Sequence, residues 1–104
     1  MAWIYLILGG IFEIGWPLGF KLASTTGNRW LFISVSVVSM ALSGMFLYLA
    51  QRNIPIGTAY AVWTGIGAVG TLAIGIIFFH DPAHFARIMS AMLIVAGIIG
   101  LKIF

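Results

Sequence analysis

The chain has 104 residues, 62% of them hydrophobic and 7% charged, with a formal net charge of +3. Soluble domains are about 45–50% apolar and about 25% charged, so a water-soluble fold with a polar surface is excluded. The chain has no cysteine, which excludes disulfides, thiolate metal sites and thiol redox centres, and its basic residues, Lys21, Arg29, Arg52, Arg87 and Lys102, are too scattered to form a nucleic-acid patch.

What remains is an all-α integral membrane protein, a single domain over residues 1–104 with four transmembrane helices. A bilayer core of about 30 Å takes about 20 helical residues. The first helix is predicted over 2–21. Met1 to Leu8 has no basic residue ahead of its apolar run, so it does not read as a signal peptide. Only Glu13 interrupts the run, and Lys21 with the polar stretch Ser24–Arg29 ends it. On the Glu13 face, at helical spacing, stand Gly9, Gly10, Trp16, Pro17 and Phe20. The glycines make room, and an aromatic wall stands one turn away. Pro17 has no N–H, so the carbonyl of Glu13 loses its ordinary helix partner and becomes a spare acceptor. The plainer reading of Pro17 is a packing kink.

The second helix is predicted over 30–50 and is closed by Gln51-Arg52-Asn53. Ser36, Ser39 and Ser43 share a stripe; Ser34 stands apart. Serines in membrane helices often bond the carbonyl four residues back. Ser43, near mid-helix beside Gly44, is the candidate for a functional role.

The third helix is predicted over 54–79. At 26 residues it is longer than the bilayer core, so tilt or a kink is expected, with Gly65 and Gly67 as kink or gating candidates. Tyr60, Trp63, Thr64, Gly67 and Thr71 share a face. Tyr60 sits near the helix start, where aromatic belts lie, and its hydroxyl can donate to a carboxylate. Trp63 is deeper, where an aromatic face attracts cations.

The fourth helix is predicted over 82–103, with Asp81 as N-cap and Pro82 in the first turn. Arg87 and Lys102 snorkel to opposite interfaces. Ala96 and Gly100 form a small-xxx-small pair, and Ser90 and Gly97 lie a heptad apart. These four are dimer-contact candidates, ordinary packing being the alternative. His80, Asp81 and His84 resemble a metal cluster only superficially, since Pro82 interrupts them. No metal site and no cofactor are expected. No nucleophile–base pair or nucleotide loop points to an enzyme.

The loops are short, so the work is done inside the bilayer. Four such helices enclose little space alone, which points to an oligomer. With the N-terminus on one side, Arg52 and Lys102 share that side and Lys21, Arg29 and Arg87 the other. This bias is small by the positive-inside rule. A chain with little bias can insert both ways and pair antiparallel, or keep one fixed topology.

An ionisable residue in mid-membrane is costly and marks a functional site by default. No basic residue lies at the expected depth of Glu13 to pair with it. The alternatives are a permanently protonated or structurally paired Glu13. A carboxylate holds a proton or a cation but not both, and that competition is the physical core of proton-coupled antiport. Protons would then be the coupling ion.

Glu13, Trp16, Lys21, PIGTAYAVWTGIGAVG (Pro55–Gly70) and GIIGLK (Gly97–Lys102) together resemble the small multidrug resistance family, most closely its guanidinium-exporter subtype. The similarity spans the chain. It implies a multi-pass exporter of the bacterial inner membrane, an antiparallel dual-topology homodimer exchanging protons for small cations by alternating access. It implies that paired Glu13 residues bind substrate and protons, with Trp16, Ser43, Tyr60 and Trp63 as the surrounding network. Gly10 would be the small residue above the glutamate, and the fourth helices would form the dimer contact. Pro17 departs from the pattern expected in this subtype and would loosen the first helix and widen the substrate range. The first loop, ASTTGNRW, is also unusual. Some members pair two related chains, which a fixed orientation would favour.

Guanidinium is planar and permanently charged, so it needs a carrier, and a carboxylate can meet it with two parallel hydrogen bonds. A quaternary ammonium or multidrug exporter is the alternative within the family, and would need a looser, more apolar site. From other classes, a proton or cation channel would leak without exchange, and a small partner-binding subunit would tolerate Glu13→Gln.

Overall fold

The computed structural model describes residues 1–104 as four helices joined by short turns: α1 (Ala2–Thr25), α2 (Arg29–Gln51), α3 (Ile56–Phe78) and α4 (Phe85–Ile103). Each is long and apolar enough to cross a membrane. α1 runs unbroken through Pro17 and past the expected end at residue 21. The Ser24 and Thr25 hydroxyls donate to the Lys21 carbonyl at 2.9 and 3.0 Å, and Thr26 donates to Leu22 at 2.7 Å. These side chains satisfy carbonyls at the helix end. α3 is shorter than expected. Pro55 is its N-cap, and Ile54 drops into the turn, packed with Leu6, Ala50, Ala59 and Val62.

α4 begins at Phe85, later than the predicted residue 82, and Asp81 is not its N-cap; His84 takes that place without a side-chain bond. The reason lies in the turn before it. His80 adopts a left-handed conformation (φ 58°), which sends the chain back over the end of α3. The Asp81 amide donates to the Gly75 carbonyl at 3.0 Å. Its carboxylate lies against Gly75, where any Cβ would overlap it. Asp81 thus serves the end of α3. Arg87 Nε donates to the Pro82 carbonyl at 2.9 Å and holds the connecting segment.

Small residues set the helix packing. Along the α1–α2 seam, Gly9 meets Ser43, Gly15 meets Ser39, and Gly19 meets Ser36. The three serines are buried, whereas Ser34 is exposed and bonds its own helix at Trp30. Ser36 Oγ crosses to donate to the Trp16 carbonyl at 2.9 Å. Small-on-small contact lets backbones approach where lipid supplies no hydrophobic drive between helices. α3 closes on α1 at Gly67 and Gly70, which accept Glu13 and Ile14 respectively.

α4 packs on α3 alone, with Ile94 and Ile98 over Gly65. Lys102 reaches beyond α3, its Nζ lying 5.3 Å from the Trp3 ring centre. No α4 residue is buried. The subunit is flattened, with extents of 45 × 34 × 16 Å. A slab this thin presents its central groove on a face.

Candidate functional site

Three helices converge on Glu13. Trp16 Nε1, one turn along α1, donates to Glu13 Oε1 at 2.8 Å. Ser43 Oγ, from α2, lies 3.0 Å from Glu13 Oε2 and 2.7 Å from the Gly9 carbonyl. Trp63 Nε1, from α3, donates to Ser43 Oγ at 2.8 Å. Oε1 therefore takes the Trp16 donor, and Oε2 shares the single Ser43 hydrogen with the Gly9 carbonyl. A carboxylate offers about four acceptor positions, so further positions remain for a ligand.

The glycines explain how the helices come this close. A Cβ on Gly67 would stand 2.6 Å from Glu13 Cγ, so α3 can cover the glutamate stem only with glycine there. A Cβ on Gly10 would meet Ile66 at 2.7 Å. Gly10 thus sets the α1–α3 spacing one turn before Glu13. On Gly9, a Cβ would be squeezed among Phe46, Trp63 and the Ser43 carbonyl at 3.2–3.3 Å.

Glu13, Trp16 and Pro17 of α1 and Thr64, Gly67, Ala68 and Thr71 of α3 line an open groove of about 330 Å³. A second cavity of about 210 Å³ continues along the same seam, sharing Pro17 and Thr71 and bounded by Lys21, Phe79 and Asp81. Lys21 Nζ lies 5.8 Å from the Phe79 ring centre.

The structure thus brings Glu13, Trp16, Ser43 and Trp63 into one hydrogen-bonded chain, with Gly10 and Gly67 giving the clearance. Tyr60 lies elsewhere: it is 57% exposed, its ring 5.4 Å from that of Trp63, and its hydroxyl makes no bond to Glu13 of its own subunit. Gly65 lies under Ile98 as a packing residue between α3 and α4. Ser90 bonds the Ala86 carbonyl at 2.8 Å, Ala96 is exposed, and Gly97 and Gly100 face open space. Sequence reasoning missed the Gly9 carbonyl as a partner of Ser43. It also missed the matching of α1 glycines to the serine stripe. The signal present in the sequence was a run of small residues on each helix, Gly9, Gly15 and Gly19 on α1 and Ser36, Ser39 and Ser43 on α2.

Residues 1–94 match the family described as Small Multidrug Resistance protein. Among curated relatives, the guanidinium exporter of Yersinia pseudotuberculosis is 48% identical over 103 residues, covering 99% of this chain and 98% of the relative. The guanidinium exporters of Citrobacter freundii and Klebsiella oxytoca are each 47% identical over 104 residues, covering 99% of this chain and 97% of theirs. With four membrane-crossing helices and full-length similarity of this kind, the chain belongs to the small multidrug resistance family and is a multi-pass protein of the bacterial inner membrane.

Proposed function

We propose that this chain is a proton-coupled antiporter that exports guanidinium and small guanidinyl cations by alternating access. The observation that carries the reading is Glu13, a lone mid-membrane carboxylate held by Trp16 and Ser43 and open to a groove. Held this way, the carboxylate presents fixed acceptors to a planar cation, which can meet it with paired N–H groups. The aromatic rings of Trp16 and Trp63 flank the network and favour a cation nearby. The full-length relatives named as guanidinium exporters support the same substrate class.

The transport unit in this reading is an antiparallel homodimer. Support comes from the 16 Å thickness of one subunit, the unburied α4 and the near balance of basic residues across the membrane. A second, inverted copy would cover the groove, bring the two Glu13 residues into one site, and place Tyr60 where the partner's substrate can reach it. Gly97 and Gly100 leave α4 room for close approach. Protons and the cation then compete for the same carboxylates, with up to two protons exchanged per cation.

The test is a comparison of substrate-evoked currents in liposomes. Guanidinium currents that require a proton gradient or generate one, with weak responses to tetramethylammonium, are expected. Responses to tetramethylammonium alone would move the chain to quaternary ammonium export. Conduction without exchange would make it a channel.

A further inference from the structure

We infer that Pro17 turns the main-chain carbonyl of Glu13 into an additional acceptor for the substrate, and so favours cations that carry N–H groups. The inference rests on the guanidinium-export reading and deepens it.

In an α-helix the carbonyl of residue 13 accepts from the N–H of residue 17. Here position 17 is proline, inside an otherwise continuous helix, and proline has no N–H to give. Side chains do not replace it. Trp16 donates to the Glu13 carboxylate, Ser43 to the carboxylate or to Gly9, and Ser36 to the Trp16 carbonyl. The proline ring also presses on the carbonyl four residues back and tilts it away from the helix axis. Glu13 and Pro17 both line the groove, which puts the freed carbonyl of Glu13 beside it.

An acceptor without a partner is costly in the bilayer interior, where no bulk water reaches it. A ligand N–H removes that cost. Guanidinium suits the arrangement because its N–H groups point outward in one plane along three edges. One edge meets the carboxylate, and a donor of the next edge reaches the main-chain carbonyl of the same residue. A quaternary ammonium ion has no N–H and leaves the carbonyl unsatisfied. Pro17 therefore acts on selectivity, narrowing the site where a looser helix alone would widen it.

Glu13 is the only glutamate in the chain, so glutamate labelled with carbon-13 at the α-carboxyl marks a single main-chain carbonyl. The experiment is infrared difference spectroscopy on the labelled, reconstituted protein, alongside transport currents. Guanidinium is expected to lower the frequency of the labelled band, and tetramethylammonium to leave it in place. In Pro17→Ala the helix bond returns, and the band is expected low from the start and insensitive to ligand. Guanidinium affinity is expected to fall about three- to tenfold, the scale of one hydrogen bond, with tetramethylammonium affinity unchanged. Guanidinium currents with an unmoved wild-type band would overturn the inference alone. So would equal weakening of both cations in Pro17→Ala, which is the signature of a changed kink. Absent guanidinium currents in the wild type would overturn the export reading and this inference with it.

Discussion

Ser43 Oγ stands 2.7 Å from the Gly9 carbonyl and 3.0 Å from Glu13 Oε2, with one hydrogen to serve both. Trp63 Nε1 already donates to that oxygen, so the hydroxyl hydrogen is free to turn to either acceptor. Toward an ionised Glu13 it donates to the carboxylate. When Glu13 carries the proton, the hydroxyl can accept from it and donate to Gly9 instead. Ser43→Ala leaves the Trp63 indole and one carboxylate oxygen without this partner. Substrate affinity is expected to fall about tenfold, on the scale of a buried polar group left unpaired. Titrating guanidinium against tryptophan fluorescence checks it; unchanged affinity would show that Ser43 only packs.

Trp16 offers a cleaner separation of hydrogen bond from ring. Trp16→Phe keeps an aromatic wall, which also packs edge-on against Phe20 with centroids 5.8 Å apart, but removes the donor to Oε1. A loss of about three- to tenfold in guanidinium affinity is expected, with the four-helix circular dichroism spectrum intact. Unchanged affinity in Trp16→Phe, with a loss only in Trp16→Ala, would assign the effect to the ring instead.

Gly67 has no room for a side chain. Alanine there puts its Cβ 2.6 Å from Glu13 Cγ and 3.0 Å from Glu13 Cβ. Since α3 or the glutamate must shift, Gly67→Ala is expected to cost about 1–3 kcal/mol in stability and to lower transport. Thermal melting in detergent and transport assays read the two effects.

The open glycines of α4 behave in the opposite way. A Cβ at Gly97 or Gly100 meets nothing within 4 Å in the subunit. Larger residues there are expected to leave the subunit folded but to weaken its self-association. Crosslinking or single-molecule photobleaching of Gly97→Leu in liposomes measures this. Undiminished dimers would place the contact on another face.

The helices were legible because burial in lipid demands long uncharged runs, and the few charges mark their ends. Glu13 stood out as a candidate for the same reason: it is the one charged side chain inside the uncharged run of its helix, and the structure places it in the hydrogen-bonded network with Trp16 and Ser43. Ser36, Ser39 and Ser43 were readable as a stripe, but their crossing to α1 carbonyls and glycines was not, because helical spacing shows a face and not what it meets. The Asp81 reading failed on local geometry. Asp-Pro is an ordinary helix-start signal, but the left-handed His80 and the bare Gly75 drew Asp81 back to α3. Tyr60 shares a helical face with Trp63, yet that face is divided: Trp63 donates into the network at Ser43, while Tyr60 is turned to the exterior.

The most direct measurement is the lumenal pH of liposomes containing wild-type protein or Glu13→Gln when external guanidinium is added. Amide replaces carboxylate with little change in shape, so the hydrogen-bond geometry around Trp16 and Ser43 is largely kept while the exchangeable proton is lost. The account predicts proton movement opposite to guanidinium in the wild type and none in Glu13→Gln. Equal proton movement in both proteins would contradict it and remove Glu13 from the exchange.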